Sequence, residues 1–396
     1  MLFMGMLGST DASSRFHQYF QHSKSLFADV SRHACNATLQ AYEAEYNRSS
    51  NHAWIDLGVQ VDRPIYNLCR DQSSCILEHT SEANKASLST AGVVLGLLPT
   101  LLAVLSPSIS ELALLSAHRP LLAALISLGS PGVIQTRIFA YEDPAELLDM
   151  SNIARKTGKS QLALGPWSRG VSVAVSTMQY ALALACVVNT VHMASQLSDH
   201  AVISWGCTRT WPMFVWVFVP MVIHGLAALG YRFTLERSTP SISEGVKIAN
   251  TFFTRVLAAD NDRKEPQAQH LVLGQPGEES THIQSLGRSA SRSGRFRREW
   301  LPSAAHIDAI WLRLPCENPS GRVSIGILLS CIAGFLSFFH LLYGTVAFSG
   351  LLFVDALDAI SQVMLRFLAS SMLCRFIVLV EIAGMRGAVL TVAKGH

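Results

Sequence analysis

Four uncharged apolar runs constrain this chain more than any other feature of its sequence. The runs cover 86–105, 170–194, 213–231 and 323–349, and none of them contains Asp, Glu, Lys or Arg. About 20 such residues form a helix that is long enough to cross the roughly 30 Å hydrocarbon core of a bilayer. The runs therefore predict four membrane-spanning helices.

The composition supports the same fold class. Only 15% of the 396 residues are charged, against about 25% in a soluble domain. The net charge of +3 is too small to indicate a nucleic-acid partner, and the usual excess of positive charge in membrane loops accounts for it. We expect an all-α, polytopic helical membrane protein whose partner is the lipid bilayer, in the plasma membrane or an endomembrane.

A C-terminal run, 360–385, is also predicted to span, although it carries charge. It contains Arg366, Arg375 and Glu381 around the apolar centre "FLASSMLCRFIVLV". Charges inside a membrane are expensive and commonly functional. Arg375 and Glu381 are six residues apart, so they do not face each other on a helix, and we expect each to find a partner elsewhere.

The run 112–133, "LALLSAHRPLLAALISLGSPGV", is ambiguous because His118, Arg119 and Pro120 interrupt it. An Arg at a helix centre costs about 2.5–3.5 kcal/mol on insertion, and the surrounding Leu and Ile residues can offset that cost. If the run spans, the protein has six helices and a cytoplasmic amino terminus. If it only dips into the bilayer, there are five helices and the amino terminus lies outside.

Sidedness helps to choose between these alternatives. The loop 232–322 holds thirteen Lys and Arg residues, so the positive-inside rule places it in the cytoplasm and the loop 195–212 outside. Residues 1–85 carry seven basic and nine acidic residues and thus give no inside signal. We favour the dipping segment and the outside terminus, with six spans as the alternative.

The amino-terminal region, 1–85, shows helical spacing of apolar residues and predicts a small helical cap. Its Cys35, Cys69 and Cys75, together with Cys207, would share the outer face, and we predict a disulfide from Cys207 to Cys69 or Cys75. Two Asn-x-Ser/Thr sequons make Asn36 and Asn47 glycosylation candidates. The opening "MLFMGML" is too short for a signal peptide, so we expect none.

These patterns divide the chain into an extramembrane region (1–85), a first helix group (86–231), a cytoplasmic loop (232–322) and a second helix group (323–396). The part of the loop between 261 and 299 is rich in Gly, Pro, Ser, Gln and Arg, which predicts disorder. Ser291 and Ser293 lie among arginines there and are candidates for phosphorylation. The loop is also a candidate binding surface for a cytoplasmic protein partner.

Two segments resemble known sequences. "CILEHTSEANKASLSTAGVVLGLLPTLLAVLSPSISELALLSAHRPLLAALISLGSPGV" at 75–133 and "ISWGCTRTWPMFVWVFVPMVIHGLAAL" at 203–229 are similar to an uncharacterised family of multi-pass membrane proteins of filamentous fungi. The resemblance covers about 65–235. It implies a fungal membrane origin and carries over no catalytic residue.

The sequence contains no metalloprotease, nucleotide-binding or nucleophile-elbow motif, and we expect no cofactor and no metal site. The best candidates for chemistry are Asp355, Asp358, Gln362 and Arg366, which recur every three or four residues and so share one helical face. Such a face either lines a polar site inside the bundle or is the wet side of an interfacial helix. His192, His224 and His340 are expected to be interhelical hydrogen-bond donors.

Three classes of function fit these features. The Arg- and Ser-rich loop favours an accessory or sensory membrane protein. The intramembrane charges favour a small-molecule transporter, although the sequence shows no internal repeat. The acidic face could instead serve a membrane-embedded enzyme that tailors a lipophilic metabolite.

Overall fold

The computed structural model describes residues 16–48, 63–134, 167–234, 302 and 321–394. Its contacts divide the chain into two units. The first unit holds Met1–Pro144, Thr177–Thr234 and Asn318–Val380, and the second holds Ala145–Ser176, Leu235–Glu317 and Glu381–His396. In the second unit the described residues are Pro302 and one end of each of two long helices.

The described elements are almost entirely helical, as predicted. In chain order they are α1 (Lys24–Asp29), a π-helical turn (Val30–Ala34), α2 (Asn36–Arg48), α3 (Arg63–Glu78), α4 (Glu82–Leu105), α5 (Ile109–His118), α6 (Pro120–Gly129), α7 (Arg169–His200), β1 (Val202–Ile203), α8 (Pro212–Thr234), α9 (Gly321–Ser349), β2 (Leu351–Leu352), α10 (Ala356–Asp358), a second π-helical turn (Ala359–Met364) and α11 (Leu365–Lys394).

Among the described residues, five helical stretches are long and apolar enough to cross a bilayer, so the protein is an integral membrane protein. They are Glu82–Leu105, Gly170–His200, Pro212–Phe233, Ile325–Ser349 and Ala356–Arg386. Thus α4, α7, α8 and α9 each span, and α10 and α11 join through the π-helical turn into a fifth span. α8 packs along α9, and α9 packs along α4, so helices from both predicted groups share one bundle.

The core of the bundle is centred on α8. Trp216 is fully buried, and its ring meets Phe348 and Phe367 edge-on at 4.7 and 5.7 Å between centroids. Leu95 and Leu98 of α4 belong to the same apolar cluster. In many membrane proteins small residues let neighbouring spans approach closely. Here large aromatic rings fill the space between the spans instead.

The other compact region, which we call the cap, consists of 16–48, 63–81, 201–211 and 350–355. Its apolar cluster includes rings from α1, from the chain before it and from α2. Phe353, from the loop after α9, inserts between them with its ring 5.4 Å from Phe27 and 6.0 Å from Tyr19. Phe353 has a φ of 66°, a conformation that is strained for a bulky residue, so packing in the cap holds it there.

The cap marks one end of the bundle. β1, which follows α7, pairs antiparallel with β2, which follows α9. Ser87, in the first two turns of α4, donates to Asp355 in the cap. α4 begins at the cap and α7 ends there, so the two helices run in opposite directions.

The ambiguous run dips and returns. α5 and α6 have ten residues each, and ten helical residues rise about 15 Å, half the thickness of the hydrocarbon core. The Ile109 amide donates to the carbonyl oxygen of Ile134 at 3.2 Å, so the chain comes back to the level at which α5 begins. Among the described residues there are five candidate spans, as predicted, and the run 112–133 does not add a sixth.

Local sequence explains the break between α5 and α6. Ser108 and Glu111 form a reciprocal capping box that starts α5, which satisfies two amide groups at the helix end. Pro120 then takes the first position of α6, where its missing N–H is not needed. Arg119 between the helices has a non-helical backbone conformation, with φ −133° and ψ 73°, which separates α5 from α6.

Candidate functional site

The dipping segment ends in the middle of the bundle. Gly129, the last residue of α6, packs so closely that a Cβ there would lie 2.8 Å from Cys186 Cβ and 3.2 Å from Cys374 Sγ. Cys186 lies about halfway along Gly170–His200, and Cys374 about halfway along Ala356–Arg386. Non-helical backbone at this depth is tolerated only where protein or a water-filled cavity satisfies its polar groups.

Side chains of two spans satisfy the backbone where α6 ends. Thr190 Oγ1 of α7 donates to the carbonyl oxygen of Gly129 at 3.1 Å. His340 Nε2 of α9 donates to the carbonyl oxygen of Pro131 at 2.9 Å. The end of α6 is therefore anchored to both helices by polar contacts within the membrane.

Three buried serines lie beside these carbonyls. Ser130 Oγ lies 2.7 Å from Ser106 Oγ and 3.3 Å from Ser371 Oγ, and each pair is within hydrogen-bond distance. Gly132 packs so tightly on this group that a Cβ would collide with Ser106 Oγ and with the carbonyl oxygen of Leu102. The three serines, the carbonyl groups of Gly129 and Pro131, and His340 together form what we call the central site.

Unpartnered ring nitrogens adjoin the central site. Nδ1 of His340, both ring nitrogens of His224 and Nε1 of Trp216 have no hydrogen-bond partner among the described residues. His340 and His224 are 5% and 6% exposed, and His340 stacks on Trp216 with 5.5 Å between ring centroids. A buried polar atom without a partner costs about 1–3 kcal/mol, so such atoms commonly mark a functional position.

An ion pair lies within about one helical turn of the central site. Arg375 of α11 pairs with the Glu111 carboxylate of α5, and Glu111 also accepts the Ser108 amide at 2.8 Å. Arg375 therefore pairs with a residue of the dipping segment. It does not pair with Glu381, which agrees with the prediction from their spacing of six residues on the helix. Glu381 is itself buried.

A second buried arginine sits at the turn between α5 and α6. Arg119 is 1% exposed, and its NH1 donates to Gln179 Oε1 at 2.6 Å. Its guanidinium also lies 5.1 Å from the centroid of the Tyr180 ring. Gly129 is the tenth residue after Arg119 and ends α6, which places it about 15 Å away along the helix, so Arg119 anchors the opposite end of the dip.

The predicted polar face of Asp355, Asp358, Gln362 and Arg366 is divided, because its members bond to different partners. Asp355 caps α10, Asp358 is fully buried against His22 of the cap, 2.7 Å away, and Gln362 is half-buried. Arg366 bonds instead to three side chains of α7. The π-helical turn Ala359–Met364 shifts the helical register between Asp358 and Arg366.

The predicted disulfide from Cys207 to Cys69 or Cys75 is confirmed. Cys69 is bonded to Cys207, and Cys75 is bonded to Cys35. Cys35, Cys75 and His79 form a group with metal-ligand spacing, but the two sulfurs are bonded to each other and do not act as thiolate ligands in this state.

The structure describes the predicted glycosylation sites but not the predicted phosphorylation sites. Asn36 and Asn47 are exposed on α2, and their glycosylation stays a prediction. Ser291 and Ser293, the partly disordered stretch and nearly all of the loop 232–322 lie outside the described residues.

Sequence reasoning missed the central site, although a signal was present. Ser106-Pro107 and Ser130-Pro131 bracket the dipping run as a pair of Ser-Pro dipeptides. Hydrophobic segments interrupted by Pro or Gly are the best sequence sign of a binding site in transporter-like folds. Ser371 and His340 lie inside strongly apolar runs and carry no comparable signal.

Comparisons with known proteins do not identify a function for this site. The chain matches no protein-family model, no curated protein and no solved structure.

Proposed function

We propose that the protein transports a small cation across the membrane through the central site. The observation that carries this proposal is the end of α6 at mid-depth, where the Gly129 and Pro131 carbonyl groups are bonded to side chains of α7 and α9. Discontinuous helices that end near the bilayer centre are typical of ion sites in membrane transporters.

The polar atoms around the central site favour a cation over an anion. Carbonyl and hydroxyl oxygens and an imidazole nitrogen are all able to act as electron-pair donors. The carboxyl-terminal end of α6 also points its partial negative charge into the site. The nearby guanidinium of Arg375 is neutralised by Glu111, so it does not oppose this preference.

The unpartnered imidazole nitrogens give the cation a further ligand or a proton acceptor. His340 already donates one N–H to Pro131, which leaves Nδ1 as an acceptor in the neutral ring. His224 of α8 is a second buried imidazole, and neither of its ring nitrogens has a hydrogen-bond partner among the described residues.

Purified protein in sealed vesicles tests the proposal with a defined panel of protons, Na⁺, K⁺, Mn²⁺ and Zn²⁺. His340→Phe keeps the ring that stacks on Trp216 and removes both nitrogens. We expect at least one cation of the panel to enter wild-type vesicles several-fold faster than H340F vesicles. His33→Phe, at an exposed position of the cap, is the matched control and should transport normally. Equal fluxes for wild type and H340F across the panel would show that cation transport is wrong.

The other two function classes receive less support from the described residues. An accessory or sensory role rests on the loop 232–322, which lies almost wholly outside the described residues. An enzyme that uses the acidic face is disfavoured because the carboxylates of Asp355 and Asp358 are already bonded to Ser87 and His22.

We further propose that the cap faces the cell exterior or the lumen of an endomembrane compartment. Two disulfides in the cap support an oxidising surrounding, and the positive loop 232–322 supports a cytoplasmic opposite end. Glycosidase treatment of protein from eukaryotic cells tests this, because a glycan on Asn36 or Asn47 requires luminal exposure. Labelling of intact cells that reaches the 232–322 loop from outside would contradict the orientation.

A further inference from the structure

A second site lies on the membrane-facing surface between α7 and α11. The two helices border a cleft of about 630 Å³. One part of its lining is apolar and consists of Ala181, Leu184, Ala185 and Val188. The other part is polar and is formed around Arg366.

The guanidinium of Arg366 is held in place by neutral side chains. Its Nε donates to Asn189 Oδ1 at 2.9 Å, and NH1 donates to Gln196 Oε1 at 3.1 Å. NH2 lies 3.4 Å from His192 Nδ1. An arginine has five N–H groups, so two remain for a ligand, and none of these three partners neutralises the charge.

Asn189 fixes the backbone as well as the side chain of this arginine. Its Nδ2 donates to the carbonyl oxygen of Arg366 at 3.0 Å and to Ser370 Oγ at 2.8 Å. The amide group thus uses both its oxygen and its nitrogen to clamp α11 against α7. A charge that is positioned in this way loses little freedom when it binds a ligand.

The polar part of the cleft lies near the boundary between hydrocarbon and headgroups. α7 has 32 residues and is about 48 Å long, which exceeds the hydrocarbon core by roughly 18 Å. If that excess is shared between its ends, the boundary falls roughly 9 Å, or about six residues, before His200. His192 and Gln196 bracket this level, and Leu184 lies deeper, toward the centre of the bilayer.

We propose that the cleft binds one anionic phospholipid from the leaflet at the cap end. The phosphate group would accept the two remaining N–H groups of Arg366, an arrangement that suits the planar guanidinium. The acyl chain would run along Leu184 and Val188 toward the bilayer centre, as the order of polar and apolar parts requires.

A lipid fits better than a soluble anion because of the apolar part. Leu184 and Val188 are 54% and 62% exposed, so they contact acyl chains in the bilayer in any case. An acyl chain held there stays in the cleft while its headgroup meets Arg366, and it adds apolar contacts that a free anion cannot make. The site is separate from the central site and does not depend on cation transport.

Lipid analysis of the purified protein tests this inference. Protein is reconstituted in a mixture of anionic and zwitterionic phospholipids, extracted in mild detergent and examined for retained lipid by mass spectrometry. Wild type should enrich the anionic phospholipid roughly tenfold or more over the bulk mixture, the scale of one charge-assisted contact. Arg366→Gln removes the charge, and Leu184→Trp fills the apolar part without touching the arginine; both should return the ratio to that of the bulk.

Leu328→Trp is the matched control, because Leu328 is a similarly exposed apolar residue on α9, and it should keep the enrichment. Normal Cys69–Cys207 bonding in each variant shows that the protein has folded. Enrichment that persists in both R366Q and L184W, or that is absent in wild type, would overturn the proposal. Displacement of the lipid by inorganic phosphate alone would also overturn it, in favour of a soluble-anion site.

Discussion

In the cap, two disulfides and a cluster of aromatic rings hold short helices together. In the bundle the described cysteines, Cys186, Cys331 and Cys374, are free, and polar side chains hold a broken helix between the spans. The cap meets water, where burying aromatic rings is itself favourable. Lipid gives no such driving force between helices, so packing and hydrogen bonds must hold the bundle.

The two regions therefore differ in where they are vulnerable. The cap depends on covalent links that act on the unfolded chain. The bundle depends on close approach at Gly129 and Gly132 and on satisfied polar groups at mid-depth. Four sets of variants test this contrast, from the largest expected effect to the smallest.

Removing a disulfide should harm the cap most. Cys69 and Cys207 are 138 residues apart, and the chain-entropy model assigns such a link about 5 kcal/mol. The double variant C69S/C207S should lose most of that stability, measured by thermal unfolding followed through cap fluorescence. Cys331→Ser removes a free cysteine of the bundle and should change the midpoint little. Equal losses in both variants would contradict the contrast.

Breaking the ion pair of the dipping segment should cost the bundle about 3 kcal/mol. Arg375→Met leaves Glu111 charged and unpaired, and the loss falls at the low end of the range for buried pairs because a third of the Arg375 side chain is exposed. E111Q/R375M removes both charges and should recover most of the loss. Denaturant unfolding in detergent micelles measures both variants. A double variant no better than R375M would mean that the pair is not what anchors α5.

Two glycine-to-alanine changes should have opposite signs. A Cβ at Gly129 meets Cys186 and Cys374, so Gly129→Ala should destabilise by about 1–3 kcal/mol through overpacking. A Cβ at Gly225 of α8 meets open space, so Gly225→Ala should stabilise by up to about 1 kcal/mol through helix propensity. Unfolding midpoints of the two variants give the comparison directly. Similar shifts in the same direction would show that α6 is not tightly enclosed.

Attachment of the cap should weaken as pH rises. The hydrogen bond to Asp358, and then its charge, raise the pKa of His22 above its ordinary value near 6.5. The stabilisation is therefore complete below about pH 6.5 and is lost as pH rises through the raised pKa. Asp355 adds to the effect, and the His22 amide keeps its own bond to Asp358 at any pH.

His22→Gln is the variant that isolates this contribution. In wild type, the protease sensitivity of α1 should be higher at about pH 8.5 than at about pH 5.5. In H22Q it should be as high at both pH values as it is in wild type at about pH 8.5. His33→Gln, on the exposed surface of the cap, is the control and should behave as wild type. An identical pH response of wild type and H22Q would mean that the His22 ring does not hold the cap.

Much of the architecture was predictable because it depends on local properties. The length of each apolar run decides whether a helix can cross the bilayer, and all five predicted spans are confirmed within a few residues. The interruption at Arg119 and Pro120 left the run 112–133 ambiguous, and the lack of an inside signal in residues 1–85 favoured a segment that dips. The predicted helical cap and its disulfide with Cys207 followed from the polarity of residues 1–85 and from counting thiols on one face.

The choice of partners was decided by the tertiary structure alone. The sequence allowed Cys207 to pair with Cys69 or Cys75, and packing of α3 against the 201–211 loop selected Cys69. The sequence did not identify a partner for Arg375, and in the structure that partner is Glu111 of α5. It aligned Asp358 with Arg366, and a π-helical turn separated them.

The central site shows the same limit most clearly. Ser106, Ser130 and Ser371 are as much as 265 positions apart in the chain, yet their hydroxyl groups meet inside the bundle. Hydrophobic length is set by each segment alone, so the sequence by itself determined a five-span membrane protein with a disulfide-linked cap. Contacts between segments depend on which helices become neighbours, and only the packed structure decides that.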